Sequence, residues 1–210
     1  MAFAHAAAWI ADLIVVLTLV AALGRQLRTG IAILAVEGVL LATLTAAQEG
    51  WRAMPTVLLL LAFKALILPG VLAWVALRLG AYQLREEGSR WGYPAMLGVI
   101  LAVARLDPGP AGFLHGEAHH LVVSGLVICL AGLVSLVTHQ QLLNQVTGLA
   151  LAENGLYVAG LGLTGGLPSI LDMAIFLDLT SALLFLVWLT VHIRQQLGHL
   201  DVDRLNQLRG

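Results

Sequence analysis

The stretch LVVSGLVICLAGLVSLV, residues 121–137, decides the class of this protein. It carries no charged side chain, and within the window 118–138 it supplies the roughly 20 residues that an α-helix needs to cross a hydrocarbon core of about 30 Å. Similar runs recur along the 210 residues, so that 60% of them are hydrophobic, only 11% are charged and the mean hydropathy is +0.92. Soluble domains carry about a quarter charged residues, because their surface must face water. Here most of the chain has no water-facing side to cover, and the fold class is an all-α integral membrane protein.

Working outward from that stretch, apolar runs place about seven transmembrane helices near 7–24, 31–48, 55–79, 92–106, 118–138, 143–163 and 168–193. The fourth is short, bounded by Arg90-Trp91 before it and by the helix-breaking cluster Asp107-Pro108-Gly109-Pro110 after it. Loop parity supports it. With seven spans Arg25, Arg28, Arg78, Arg85, Arg90, Arg194, Arg204 and Arg209 share one side, and only Arg52 and Arg105 fall on the other. Basic residues mark the cytoplasmic side, so the expectation is a multi-pass protein of the inner (plasma) membrane with its N-terminus outside and its C-terminus in the cytoplasm. The start Met1-Ala2-Phe3-Ala4-His5 has no basic residue ahead of the first apolar run and reads as mature sequence.

Several function classes drop out. A net charge of −1 and a pI near 6.6 give no electrostatic footprint for nucleic acid. One cysteine, Cys129, lies inside an apolar run, which leaves no disulfide framework, cysteine-based zinc site or iron–sulfur ligation. No nucleophile triad, phosphate loop or dinucleotide fingerprint is present. The chain therefore reads as a non-catalytic subunit with no active site and no cofactor or metal of its own.

The chain also repeats itself. Met54-Pro55-Thr56-Val57-Leu58 to Ala76 matches Leu167-Pro168-Ser169-Ile170-Leu171 to Leu189, with the proline, the hydroxyl and Phe63/Phe176 in register. Upstream, Gly30 to Leu41 with Glu37 resembles Gly148 to Leu156 with Glu153, although carboxylate and proline stand three residues further apart in the first copy. A three-helix unit ends on the side opposite its start, so two units in the same orientation need a linking span. The expected organisation is a three-helix unit over 1–80, a cytoplasmic loop, linking span and outer loop over 81–117, a second three-helix unit over 118–195 and a cytoplasmic tail over 196–210.

Ionisable residues at mid-span cost about 2.5–3.5 kcal/mol each on insertion scales, so they face protein or water and mark function by default. Glu37, Lys64, Glu153 and Asp178 all fall inside expected spans. Burial disfavours the charged form of a carboxylate and a neighbouring ammonium favours it, which is how a carboxylate becomes able to exchange a proton. These four residues are the expected proton relay, with Lys64 serving either as a member of it or as a structural partner of Glu37. Glu153 is the strongest candidate, because the triplet Glu153-Asn154-Gly155 is costly in any lipid-facing helix. Asp172 reads as helix N-terminal polarity and Asp12 as an interfacial residue. In His115-Gly116-Glu117-Ala118-His119-His120, Glu117 and His120 share a helix face, but spacing fixes no third ligand. Glu117, His119 and His120 read instead as a span mouth, either in the headgroup layer or where protons enter or leave.

Asn144-Gln145-Val146-Thr147-Gly148, Leu151-Ala152-Glu153-Asn154-Gly155-Leu156-Tyr157, Leu163-Thr164-Gly165-Gly166-Leu167-Pro168 and Phe176-Leu177-Asp178 together carry a resemblance to the hydrogenase-4 component E family. That family is related to the NuoK subunit of respiratory complex I and to the C subunit of Mrp-type cation/proton antiporters. The resemblance implies two tandem NuoK-like three-helix units, with Glu153 matching the first buried glutamate of NuoK-like subunits. Asp178 stands at or near the second as an aspartate, and Glu37 takes the equivalent place in the first unit. It implies a membrane-arm subunit of a complex-I-like, group 4 hydrogenase-type oxidoreductase that contributes buried carboxylates to proton or sodium translocation. Its partners would be large antiporter-like membrane subunits and subunits carrying nickel–iron and iron–sulfur centres. The alternatives are a subunit of an Mrp-type cation/proton antiporter without a redox module, or a small-solute transporter. Small residues such as Ala159, Gly160 and Gly162 are expected to serve close intramembrane contacts.

Overall fold

The computed structural model describes residues 2–24, 26–78, 94–96, 98, 116–164, 188 and 192. The expected spans 92–106 and 168–193 lie largely outside the described residues, and Asp172 and Asp178 lie outside them altogether. Among the described residues the long elements are all helices, and five are long and apolar enough to cross a membrane.

Helix α1 covers Ala2–Leu23 and α2 covers Leu27–Glu49. The break between them is tight, with Gln26 extended at φ −113° and ψ 117°. The second helix begins at Leu27 rather than at the expected 31, because Thr29 and Gly30 bond back to the Gln26 carbonyl and extend the helix through the glycine. This moves Glu37 from an expected six residues inside the helix to ten residues from its start, about 15 Å at 1.5 Å per residue. Helix α2 stops where Gly50 turns to φ 64°, a left-handed conformation in which a side chain would be strained.

After a short 3₁₀ turn, Gly50–Ala53, the third span runs over Met54–Arg78 in three pieces: α3 (Met54–Leu59), a π-helical segment (Leu60–Ile67) and α4 (Leu68–Arg78). Proline in its first turn is where a missing N–H costs least. At its far end the Arg78 guanidinium lies 5.1 Å from the centre of the Trp74 ring, a pairing that suits a membrane interface. Helices α5 (Glu117–Thr138) and α6 (Leu142–Thr164) form an antiparallel hairpin joined through residues 139–141.

Among the described elements α5 and α6 share the most extensive contact. Glycines set its closeness. Gly125 and Gly132 on α5, and Gly148, Gly155 and Gly162 on α6, recur at seven-residue spacing, and a Cβ on any of them would meet the neighbouring helix. Gly125 lies against Ala159, Gly132 against Ala152 and Gly155 against Cys129. Lipid gives no hydrophobic drive to helix association, so small residues that let backbones touch supply van der Waals contact instead. Ala159 and Gly162 thus serve the chain's own hairpin.

Helices α2 and α6 are the interior pair. Their spans are 56% and 72% buried, against 33–39% for the other three. Helix α2 packs on α1, on the π-helical segment and on α6, and the outward faces of the bundle carry Trp9, Leu58, Leu66, Val137 and Leu163. Met96 packs with Ala22 of α1 and Ala131 of α5, which brings this part of the expected linking segment against those two helices.

Candidate functional site

The site lies at mid-depth on the two interior helices. Glu37, ten residues into α2, is fully buried; Glu153 and Asn154, 11 and 12 residues into α6, are 6% and 1% exposed. Lys64, in the π-helical segment, is 3% exposed. Polar groups this deep need partners, and these are each other's. Lys64 Nζ lies 2.6 Å from Glu153 Oε1 and donates to Asn154 Oδ1 at 2.8 Å. The Asn154 amide nitrogen donates to Glu37 Oε2 at 2.9 Å. Thr18 Oγ1, on α1 and fully buried, lies 2.8 Å from Glu37 Oε1 and 2.9 Å from the Ile14 carbonyl. One chain of contacts therefore joins two carboxylates through an ammonium and an amide across four spans.

Two glycines allow it. Gly38, next to Glu37, admits the backbone of Lys64–Ala65, since a Cβ there would stand 2.6 Å from the Ala65 nitrogen. Gly155, next to Asn154, admits the Cys129 backbone of α5. In each case a polar side chain stands beside a missing one, so close helix approach and the polar contact come from adjacent residues. The π-helical turn carries Lys64 where α2 comes closest; such turns recur at functional sites because they re-aim one side chain without breaking the helix.

Three of the four expected relay residues, Glu37, Lys64 and Glu153, are thus brought together; the fourth, Asp178, lies outside the described residues. Lys64 does not pair directly with Glu37, as one sequence reading had it. It forms an ion pair with Glu153 and reaches Glu37 through Asn154. Thr18 and Asn154 escaped the sequence reading as partners. Asn154 had a signal in its costly triplet, whereas Thr18, one of many hydroxyls in apolar helices, had none.

The mouth residues do not converge on a common point. Glu117 Oε1 accepts from Gln48 Nε2 at 2.6 Å, and His120 Nε2 lies 3.0 Å from Asp12 Oδ1 in a half-exposed pair that is ionic only when the imidazole is protonated. Asp12, expected at the interface, is 50% exposed. Further in, Thr45 Oγ1 and Tyr157 Oη lie 3.0 Å apart. Gln48 and Thr45 are three residues apart on α2, and Tyr157 is one turn from Glu153 on α6. Polar groups therefore step from this end of the bundle toward its middle. At the opposite end His139 ties two helix ends together, its Nδ1 2.8 Å from the Ser135 carbonyl and its Nε2 3.2 Å from the Gly24 carbonyl.

The chain is similar to a Mycobacterium tuberculosis protein, "Uncharacterized protein Rv0085", with 28% identity over 193 residues, covering 88% of this chain and 87% of that one. No family model matches the chain. No solved structure matches it.

Proposed function

We propose that this chain is a membrane-arm subunit of a complex-I-like, group 4 hydrogenase-type oxidoreductase, and that it moves protons through its buried carboxylates. The observation that supports this reading is the mid-depth cluster of Glu37, Lys64, Glu153 and Asn154 on the most buried helices. Breaking a buried ion pair costs about 3–5 kcal/mol, while replacing one with apolar residues is often neutral or better. A cluster serving stability alone has a cheaper apolar substitute. One that must hold and release a proton has none, because only ionisable groups exchange protons.

In this reading the chain crosses the inner membrane seven times as two tandem NuoK-like units, N-terminus outside and C-terminus cytoplasmic. Asp178 is a further relay residue, and Glu117, His119 and His120 form the outer mouth. Tyr157 and Thr45 lie between that mouth and Glu153 and offer hydroxyls for the intervening step. Nickel–iron and iron–sulfur centres belong to partner chains, and large antiporter-like subunits flank this one. The test is to solubilise native membranes gently, isolate the chain by an affinity tag and identify what accompanies it. The expected result is antiporter-like membrane subunits together with a hydrogenase-type large subunit. Isolation with antiporter subunits but no redox subunit, or as a stable chain without partners, would overturn the assignment.

A further inference from the structure

A buried carboxylate that relays protons must open toward one face of the membrane, and the packing on the two sides of Glu153 is not alike. On the side that carries Glu117 and Gln48, polar groups stand between the surface and the site and grow more buried inward. Glu117 and Gln48, joined at 2.6 Å, are both partly exposed. One turn further along α2, Thr45 is fully buried, with its Oγ1 3.0 Å from Tyr157 Oη on α6. Tyr157 stands four residues from Glu153, about 6 Å at 1.5 Å per residue. A hydroxyl both accepts and donates a hydrogen bond, which is what handing a proton onward requires. Two more side-chain oxygens are buried without a hydrogen-bond partner: Glu153 Oε2 itself and Thr56 Oγ1, in the first turn of the third span beside Val57, which shares a packing cluster with Tyr157. Buried oxygens are satisfied by protein or by ordered water, so water is the partner left for these two.

Toward the opposite side, the same four spans that build the site close on apolar side chains. Ala21 of α1, Ile31 and Leu34 of α2, Leu68 and Leu72 of α4, and Ala150 of α6 belong to one buried cluster. On α2 this cluster reaches from Leu34, three residues from Glu37, to Leu27 at the helix start, which is about 10 Å of packed apolar layer at 1.5 Å per residue. Thr147, buried at this depth, donates its hydroxyl to the Leu143 carbonyl of its own helix. Asn144 stands two residues into α6, at the far edge of the layer. Apolar packing of this kind stays dry, because water inside it would find no groups to bond, and a proton has nothing to travel on.

We infer, resting on the relay reading, that Glu153 exchanges protons with the face that carries Glu117 and not with the opposite one. Thr45, Tyr157 and water at the unpartnered oxygens form the path, and the apolar cluster is the seal. A proton arriving from the Glu117 side passes the hydroxyls of Thr45 and Tyr157 and is taken up at Glu153 Oε2; release follows the same steps in reverse. These four spans therefore provide half of a crossing. Thr45 and Tyr157 act through their hydroxyls, so the shape of either side chain without its oxygen does not serve.

The test uses sealed native membrane vesicles of known orientation, with the pH of each face set separately. They are treated with a lipid-soluble carbodiimide, which reaches buried carboxyls through the bilayer and reacts with them only when they are protonated; mass spectrometry then reads the modified fraction of Glu153. In wild type, acidifying the face that carries Glu117 should raise this fraction severalfold, and acidifying the opposite face alone should leave it unchanged. This reading needs no variant. After a rapid pH step on the Glu117 face, Thr45→Val and Tyr157→Phe should delay the rise severalfold, whereas Thr45→Ser, which keeps the hydroxyl, should follow wild type. Modification of Glu153 that follows the opposite face, both faces or neither overturns the inference, as does a Thr45→Val and Tyr157→Phe response as fast as wild type. The relay reading fails separately: in that case Glu153 follows the Glu117 face as expected while the assembled Glu153→Gln complex moves protons normally.

Discussion

Replacing Asn154 with leucine tests the bridge directly, since leucine keeps the volume and the apolar stem but removes both hydrogen bonds. One bond comes from an ammonium, Lys64 Nζ at 2.8 Å, and hydrogen bonds to charged groups are worth about 1.5–3 kcal/mol. The other goes to Glu37 Oε2 at 2.9 Å, and interhelical side-chain hydrogen bonds in membranes average about 0.6 kcal/mol. The charged bond dominates, and the sum is a loss of about 2–4 kcal/mol. For a chain of this size that is a fall of very roughly 5–15 °C in the unfolding midpoint, using about 2–4 °C per kcal/mol. The assay is thermal unfolding in detergent, with the lipid-facing Leu156→Ala on the same helix as a control that should stay within about 0.5 kcal/mol of wild type. In a double-mutant cycle with Lys64→Gln, the two changes should lose less together than the sum of the singles, because they remove one shared bond. An Asn154→Leu protein as stable as wild type, or strict additivity with Lys64→Gln, would refute the bridge.

Gly155→Val should weaken the α5–α6 hairpin by more than about 3 kcal/mol, since its side chain meets the Cys129 backbone and the helices must part; expression and unfolding midpoint report this, and a well-folded variant of normal stability would contradict the packing. Cysteine placed at positions 86 and 205 should label from the cytoplasmic side in both cases, and labelling from opposite faces would rule out the seven-span arrangement. His120→Ala should leave unfolding within about 0.5 kcal/mol of wild type, because its pair with Asp12 is half-exposed, and a larger loss in thermal unfolding would show the pair to be structural.

Hydropathy was enough to locate the described spans, because lipid demands continuous apolar length and the chain has no cheaper way to satisfy its backbone. The start of α2 was harder, since Gly30 reads as a breaker in sequence but sits inside a helix fixed by its neighbours. The π-helical segment was not legible at all; nothing in LLAFKALI distinguishes it from α-helix, and its backbone at Lys64–Ala65 packs against Gly38 of a helix distant in sequence. Glu37, Lys64 and Glu153 stood out because charge in an apolar run is expensive. Their pairing did not, as it depends on how four helices rotate, and Asn154 was noticed for its cost rather than as the bridge. Seven-residue glycine spacing on α5 and α6 was visible in the sequence and could have been read as a close hairpin.

The central claim is that the buried carboxylates move protons, and replacing Glu153 with glutamine tests it most directly. Glutamine keeps the size of the side chain and an oxygen for the Lys64 ammonium, but it cannot exchange a proton. The measurement is proton uptake or release by membrane vesicles during turnover of the complex, with assembly checked in the same membranes. The account predicts an assembled complex that moves far fewer protons per turnover, with Glu153→Asp keeping part of the movement. An assembled Glu153→Gln complex that still builds a normal proton gradient would contradict it and leave Glu153 as a structural counter-ion.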